Sequence, residues 1–185
     1  MLDKRETPNL PKLRSKRIQL RPIERLDEER LWMILSDYPA VHSASTNKNP
    51  SFYQSKKILK QILNRDEDHH LHFGICLGET HDLIGLVSLQ NWSKSQSVAT
   101  LGYILDRLYW GRGLATEAVE LLINYGFREL GLTRIEGRCS EDNIASERVM
   151  VKNGFTHDRI HPARYGSDRS TVKINIYSLC YINEI

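Results

Sequence analysis

The hydrophobic period of this chain changes along its length, and that change restricts its fold more than any other feature. Three short apolar runs, residues 71–77, 83–90 and 98–105, are separated by the turn-rich breaks G-E-T-H-D and N-W-S-K-S-Q-S. Such spacing predicts consecutive antiparallel strands. Upstream, residues 17–23 alternate, with Ile18 and Leu20 on one face, and read as a strand. Two helices follow. Asp27 caps a run carrying Leu31, Ile34 and Leu35, and Ser51 or Ser55 precedes Ile58, Leu59, Ile62 and Leu63, with a loop-like stretch at 37–50 between them. Downstream, a helix is expected over 114–130, with Ala115, Ala118, Val119, Leu122 and Gly126 on one face and Gly131 as its stop. A strand at 134–139 follows. A helix at 144–152 is next, capped by Asn143 or Asp142 and ended by Asn153-Gly154; the last strand is at 171–181. The expected order is β-α-α-β-β-β-α-β-α-β, a mixed α/β domain whose mostly antiparallel sheet carries helices on its faces.

With 185 residues the chain is one domain, expected to span 13–185 behind a loose tail at 1–12. Its 26 basic and 23 acidic residues give a net charge of +3, which excludes a dedicated nucleic-acid surface. The longest apolar run, around 83–89, is far shorter than a membrane span, and no secretory signal opens the sequence. Cys76, Cys139 and Cys180 are odd in number and widely spaced, which fits buried free thiols in a reducing cytoplasm. His69, His70 and His72 stand beside Asp66, Glu67 and Asp68, but match no zinc spacing, so no metal is expected.

The chemistry is concentrated in L-G-Y-I-L-D-R-L-Y-W-G-R-G-L-A-T-E-A at 101–118. A strand runs into a glycine-rich turn that opens a long helix. Gly111 and Gly113 permit a tight turn and close approach of a ligand, and the N–H groups of the first helical turn face outward at the positive end of the helix dipole. That arrangement suits a diphosphate, with Arg112 able to add a charge-assisted contact. A Walker A loop is excluded, since no G-K-[ST] follows. The dinucleotide fingerprint nearly fits, with Glu136 about 20 residues on. Thr116 replaces its third glycine, however, and antiparallel strands precede the loop instead of a parallel βαβ unit.

The run Y-W-G-R-G-L-A-T-E-A at 109–118 resembles the pyrophosphate loop of the GCN5-related N-acetyltransferases, and more narrowly their ribosomal-protein N-terminal acetyltransferase branch. The consensus Q/R-x-x-G-x-G/A falls on Trp110, Gly111, Arg112, Gly113, Leu114 and Ala115. Three further segments match in order: R-S-K-R-I-Q-L-R-P-I at 14–23, Y-G-F-R-E-L-G-L-T-R-I at 125–135 and N-I-A-S-E-R-V-M-V-K-N-G-F at 143–155. Together they cover about residues 13–181. The resemblance implies acetyl-CoA lying between two splayed parallel strands, 98–105 and 134–139. Tyr103, Ile104 and Leu105 would meet the pantetheine arm through their main chain, and the amides of 110–115, with Thr116 beside them, would hold the diphosphate. It further implies that Asn143 hydrogen-bonds the pantetheine, and that Ser146, near the thioester sulfur, protonates the departing thiolate. A main-chain N–H of the Tyr103 strand would polarise the carbonyl.

The sequence departs from the branch pattern in two places. Thr100 stands where many members carry a glutamate, and Val151 replaces a second glutamate. The general base is thereby unassigned, with Glu136 and Glu117 as candidates. An acceptor of low pKa, such as a protein N-terminal α-amine, needs the least help. Small-molecule amines are the other acceptor class. Trp32, His42, Trp92 and Tyr165 lie in or beside segments able to wall an acceptor pocket. Two other functions fit the same residues: an acyl-CoA sensor of this fold without turnover, and a nucleotide-binding oxidoreductase built on the glycine loop. Monomer and homodimer are both compatible with the chain.

Overall fold

The computed structural model describes residues 10–37, 59–60, 62–63, 69–165 and 170–181, with the backbone alone at 163–165 and 170–172. Eight strands form one sheet: β1 (Leu13–Arg14), β2 (Ile18–Pro22), β3 (Leu71–Leu77), β4 (Leu83–Ser93), β5 (Val98–Leu105), β6 (Arg134–Ser140), β7 (Thr156–Tyr165) and β8 (Ser170–Cys180). Their spatial order is β1-β2-β3-β4-β5-β6-β8-β7. Three α-helices are described in full, α1 (Glu28–Ser36), α2 (Leu114–Arg128) and α3 (Ile144–Lys152). Leu59, Lys60, Ile62 and Leu63 also lie in helical backbone, where a second helix was expected.

Every neighbouring pair of strands is antiparallel except β5–β6. That parallel pair links the two halves of the sheet. It is in register only from Val98 opposite Arg134 to Leu101 opposite Gly137. Beyond this point β5 runs on to Leu105 and β6 to Ser140 without pairing with each other. Gly137 stands at the fork because a Cβ there would lie 2.3 Å from Met150 Sδ of α3.

Alternation along the strands builds two cores, one on each face of the sheet. The larger core gathers Phe73, Ile75, Val87, Leu89, Leu101 and Ile135 under Ala118, Val119 and Leu122 of α2, with Met150 of α3. Leu122 is fully buried, which favours folding by roughly 1.5–3 kcal/mol. The smaller core packs Leu31, Ile34 and Leu35 of α1 with Leu59 and Ile62 against Cys76, Leu83 and Leu86.

Within the described residues the expected elements form, the two-residue β1 is an addition to them, and three further corrections apply. Asp27 precedes α1, yet its carboxylate accepts from the Arg21 guanidinium and the Glu24 N–H and makes no side-chain cap to that helix. Strand β7 was not expected at all. Residues 156–162 are all exposed and include Pro162, so they carry no hydrophobic alternation. As the sheet edge, β7 pairs with β8 alone, and a proline is tolerated where one side of the strand needs no partner. Of the three free thiols, Cys76 and Cys139 are buried, whereas Cys180 is exposed, contrary to the expectation for all three. Most of the expected tail, 1–9, lies outside the described residues.

Candidate active site

Strand β5 ends at Leu105, and the chain passes through a single 3-10 turn, Arg107–Tyr109, into the glycine loop and α2. Asp106 organises this exit. Its carboxylate accepts from the Leu108 N–H at 2.9 Å and is ion-paired with Arg30 of α1. The Trp110 indole N–H donates to the Leu105 carbonyl at 2.7 Å and anchors the start of the loop to the end of the strand. Gly111 and Gly113 both take positive φ, +73° and +74°, where a side chain is strained. A Cβ on Gly111 would meet nothing within 4 Å, so its glycine answers to backbone conformation and not to crowding.

Gly113 is the N-cap of α2, and no side chain caps it. The first bond of the helix runs from the Glu117 N–H to the Gly113 carbonyl, so the preceding amides point out of the helix end, as the sequence anticipates. Arg112 is exposed, with its guanidinium over the Tyr109 ring. Thr116 uses its carbonyl to accept from Asn153 Nδ2 at 3.2 Å, a tie between α2 and α3 that supplants the close glycine packing of a dinucleotide fold.

The second part of the site is the fork between β5 and β6. The Asp106 N–H donates to Ile84 of β4, and the Ser97 carbonyl accepts from Thr133 next to β6. Antiparallel alternation then turns the main chain of Tyr103 and Leu105 toward the β6 side, beyond the last β5–β6 pair. Ile104 is different: its N–H and C=O face β4 and its side chain packs on the smaller core, which corrects its expected main-chain role in the fork. The Leu105 carbonyl is the one that Trp110 occupies.

Asn143 resolves as the N-cap of α3, its Oδ1 accepting from the Ser146 N–H at 3.1 Å. The Ser146 hydroxyl lies 2.7 Å from the Tyr103 hydroxyl, which also donates to the Ser146 carbonyl at 3.2 Å. Sequence reasoning assigned Tyr103 only a main-chain role. Its side chain in fact reaches from β5 to the first turn of α3, where the proposed proton donor stands. Nearby, burial raises the Cys139 thiol to about 11, so it is a neutral thiol at physiological pH.

Neither candidate base is poised to accept a proton. Glu136 faces Thr100 across the parallel pair, on the sheet face opposite α2. Arg134, Arg159 and Arg138 surround its carboxylate at 3.2, 3.3 and 3.5 Å. Burial pushes that carboxyl up, but Arg134 and Arg159 outweigh it and hold the group below the usual carboxylate range. Glu117 is likewise lowered: Ser15 and Arg17 overcome the effect of burial.

Of the four expected pocket residues, the two whose side chains are described, Trp32 and Trp92, lie on different cores. Trp32 packs on the smaller core and Trp92 against the larger one, with Lys94 over its ring. Tyr165 ends β7 opposite Ser170, and His42 lies outside the described residues. His70 and His72 stack 6.1 Å apart, and His69 Nδ1 is 2.9 Å from the Trp92 carbonyl. Among the described residues, no group of three or more metal-ligating side chains is assembled, and no helix is long and apolar enough to cross a membrane.

Residues 17–156 match the family described as Acetyltransferase (GNAT) domain. A probable N-acetyltransferase of Bacillus subtilis, YjcK, is 36% identical over 169 residues, covering 88% of this chain and 90% of that protein. The ribosomal-protein-serine acetyltransferase of Escherichia coli is 32% identical over 74 residues, 40% of this chain and 41% of its own. Among solved structures, the ribosomal L7/L12 α-N-protein acetyltransferase RimL, in complex with coenzyme A, superposes with a TM-score of 0.77 at 19% identity. That alignment covers 92% of this chain and 98% of RimL. These matches, with the antiparallel strands ahead of the glycine loop, leave the oxidoreductase reading without support. The chain belongs to the GNAT acetyltransferase family.

Proposed function

We propose that this protein transfers the acetyl group of acetyl-CoA directly to an amine, and that its acceptor is an α-amine of the kind at a protein N-terminus. One observation carries the donor half: a glycine loop with two left-handed residues opens an uncapped fifteen-residue helix directly after the strand that forks from β6. The outward amides of 111–115 and Arg112 suit a diphosphate, and the fork offers the main chain of Tyr103 and the N–H of Leu105 to an amide-bearing arm, the Leu105 carbonyl being held by Trp110. Asn143 fixes the first turn of α3 beside it. Relatives named as N-acetyltransferases support an enzyme over a silent acyl-CoA sensor.

In the reaction the lone pair of a neutral amine attacks the thioester carbonyl, the C–S bond breaks, and the thiolate leaves and takes up a proton. A main-chain N–H of the Tyr103 strand polarises the carbonyl. Ser146 delivers its hydroxyl proton to sulfur while a proton from solvent replaces it through the Tyr103 hydroxyl, to which it is hydrogen-bonded and which sets its orientation. The amine's surplus proton passes to water. Glu136 and Glu117, both held charged by arginines, are weak bases, which favours an acceptor that is already largely neutral. An α-amine near ~7.7–8.0 meets that demand far better than a lysine near ~10.4.

The test is CoA release with a panel of α-amino peptides, lysine side-chain amines, polyamines and small amines. Turnover fastest with α-amines is expected, and kcat/KM should rise with pH through about 8 as the acceptor loses its proton. Acyl-CoA binding with no turnover on any amine would restore the sensor, and a preference for lysine or polyamines would overturn the acceptor assignment. Gly113→Glu should abolish acetyl-CoA binding, because it places bulk, strain and negative charge at the helix end.

A further inference from the structure

The turn between β1 and β2 rests on the first turns of α2, about a hundred residues away in sequence, and the contact converges on one carboxylate. Ser15 Oγ donates to Glu117 Oε1 at 2.5 Å, and the Arg17 N–H donates to the same oxygen at 3.2 Å. Arg17 Nε reaches Oε2 at 2.7 Å, with its Nη2 2.5 Å from that oxygen. The remaining arm of the fork, Nη1, donates to the Arg112 carbonyl at 2.8 Å, in the middle of the glycine loop. Nη2 also lies 3.6 Å from where a Cβ on Gly113 would stand. One planar guanidinium thus holds the loop and the helix together, a bridge that a lysine's single ammonium cannot reproduce.

We propose that Arg17 and Glu117, steadied by Ser15, are positioning residues that keep the 111–115 loop in the form that receives the donor's diphosphate. The inference rests on the donor reading above. A bare carboxylate one turn into α2 repels a diphosphate at that helix's end. Paired with Arg17, its charge is balanced, and the same pair pins the Arg112 carbonyl inward, which turns the following amides outward. Without the pair, two left-handed glycines with open space at Gly111 leave the loop many conformations, and binding must first select among them.

The experiment compares CoA with pantetheine, which lacks the diphosphate, by titration calorimetry on the wild-type protein, Arg17→Met, Glu117→Gln and the double variant. Each single change is expected to weaken CoA binding about ten-fold and to leave pantetheine binding unchanged, which also certifies the rest of the fold. The double variant should lose no more than the worse single, since both act through one pair. Hydrogen exchange at 111–116 should quicken in all three variants without ligand, and Arg17→Lys should recover only part of the loss. Were Arg17 a direct phosphate ligand, Glu117→Gln would release it and CoA binding would hold or improve; that result overturns the positioning role. Fully additive losses overturn it too. A wild-type protein that binds CoA no better than pantetheine sinks the donor reading instead, so the two failures are told apart.

Discussion

Ser146 occupies the third position of α3, where its N–H is taken by Asn143 and its hydroxyl meets Tyr103. A serine in a first helical turn is ordinary capping chemistry, so the helix alone gives it no catalytic meaning. The phenol from β5 distinguishes it: a hydroxyl held by a second hydroxyl has a fixed direction and a path to renew its proton. Ser146→Ala is accordingly expected to lower kcat about a hundred-fold with the KM for acetyl-CoA nearly unchanged. Tyr103→Phe should cost about ten-fold, because Ser146 stays but loses its orientation. Steady-state kinetics on both variants checks the order; equal losses would make the two a single unit. At the same scale, Asp27 sets an acid limit on stability. Burial pushes its carboxyl up, yet Arg21 and the Glu24 N–H hold it below its ordinary value. Its contribution is therefore complete above the unfolded value near ~4 and is lost as pH falls below that. Asp27→Asn should flatten the acid limb of a denaturation-midpoint profile. It should also cost about 3 kcal/mol at neutral pH by leaving the mostly buried Arg21 uncompensated.

Elements differ in how plainly the sequence announces them, and the reason is burial. Strands β3 and β5 and helix α3 begin and end at the residues that periodicity and capping indicate. Each buries one face or carries a cap, and burial is what writes a period into sequence. The edge strand β7 buries none of residues 156–162 and so leaves no trace. The glycine loop was legible because left-handed backbone demands glycine locally. The hydroxyl pair of Tyr103 with Ser146 and the Arg17–Glu117 bridge join residues 43 and 100 apart, and no local rule signals them. Thr100 reads as a lost carboxylate, whereas the fold sets Glu136 beside it on the next strand, already claimed by arginines. Asn143→Ala tests the α3 cap: about 1 kcal/mol of stability should go, with a further fall in kcat as Ser146 loses its backbone restraint. A thermal melt and one rate measurement suffice, and a stability loss with full activity would divorce the cap from the chemistry.

On the scale of the whole molecule, the sheet is two blocks, β1–β5 and β6-β8-β7, sewn together by four residue pairs and by the larger core, where α2, packed on β2, β4 and β5, meets α3 and Ile135 of β6. That seam is short for an eight-stranded sheet, and most of the cohesion between blocks falls to the larger core. Gly137→Ala, which drives a methyl into Met150 at the fork, should cost about 1–3 kcal/mol and should be partly repaired by shortening Met150 to alanine. A double-mutant cycle of chemical denaturation reads the coupling directly, and strictly additive losses would place the strain elsewhere.

The four-pair seam also has a consequence for how such a protein ages in the cell. On the proposed donor site, acetyl-CoA lodged in the fork would bind both blocks at once, and at a hundred times its dissociation constant would add roughly 2.7 kcal/mol to the intact fold. Starved of acetyl-CoA, the same chain would be easier for a protease to open. Its lifetime would then follow the supply of its own substrate, and the wedge proposed to admit the donor would double as a gauge of metabolic plenty.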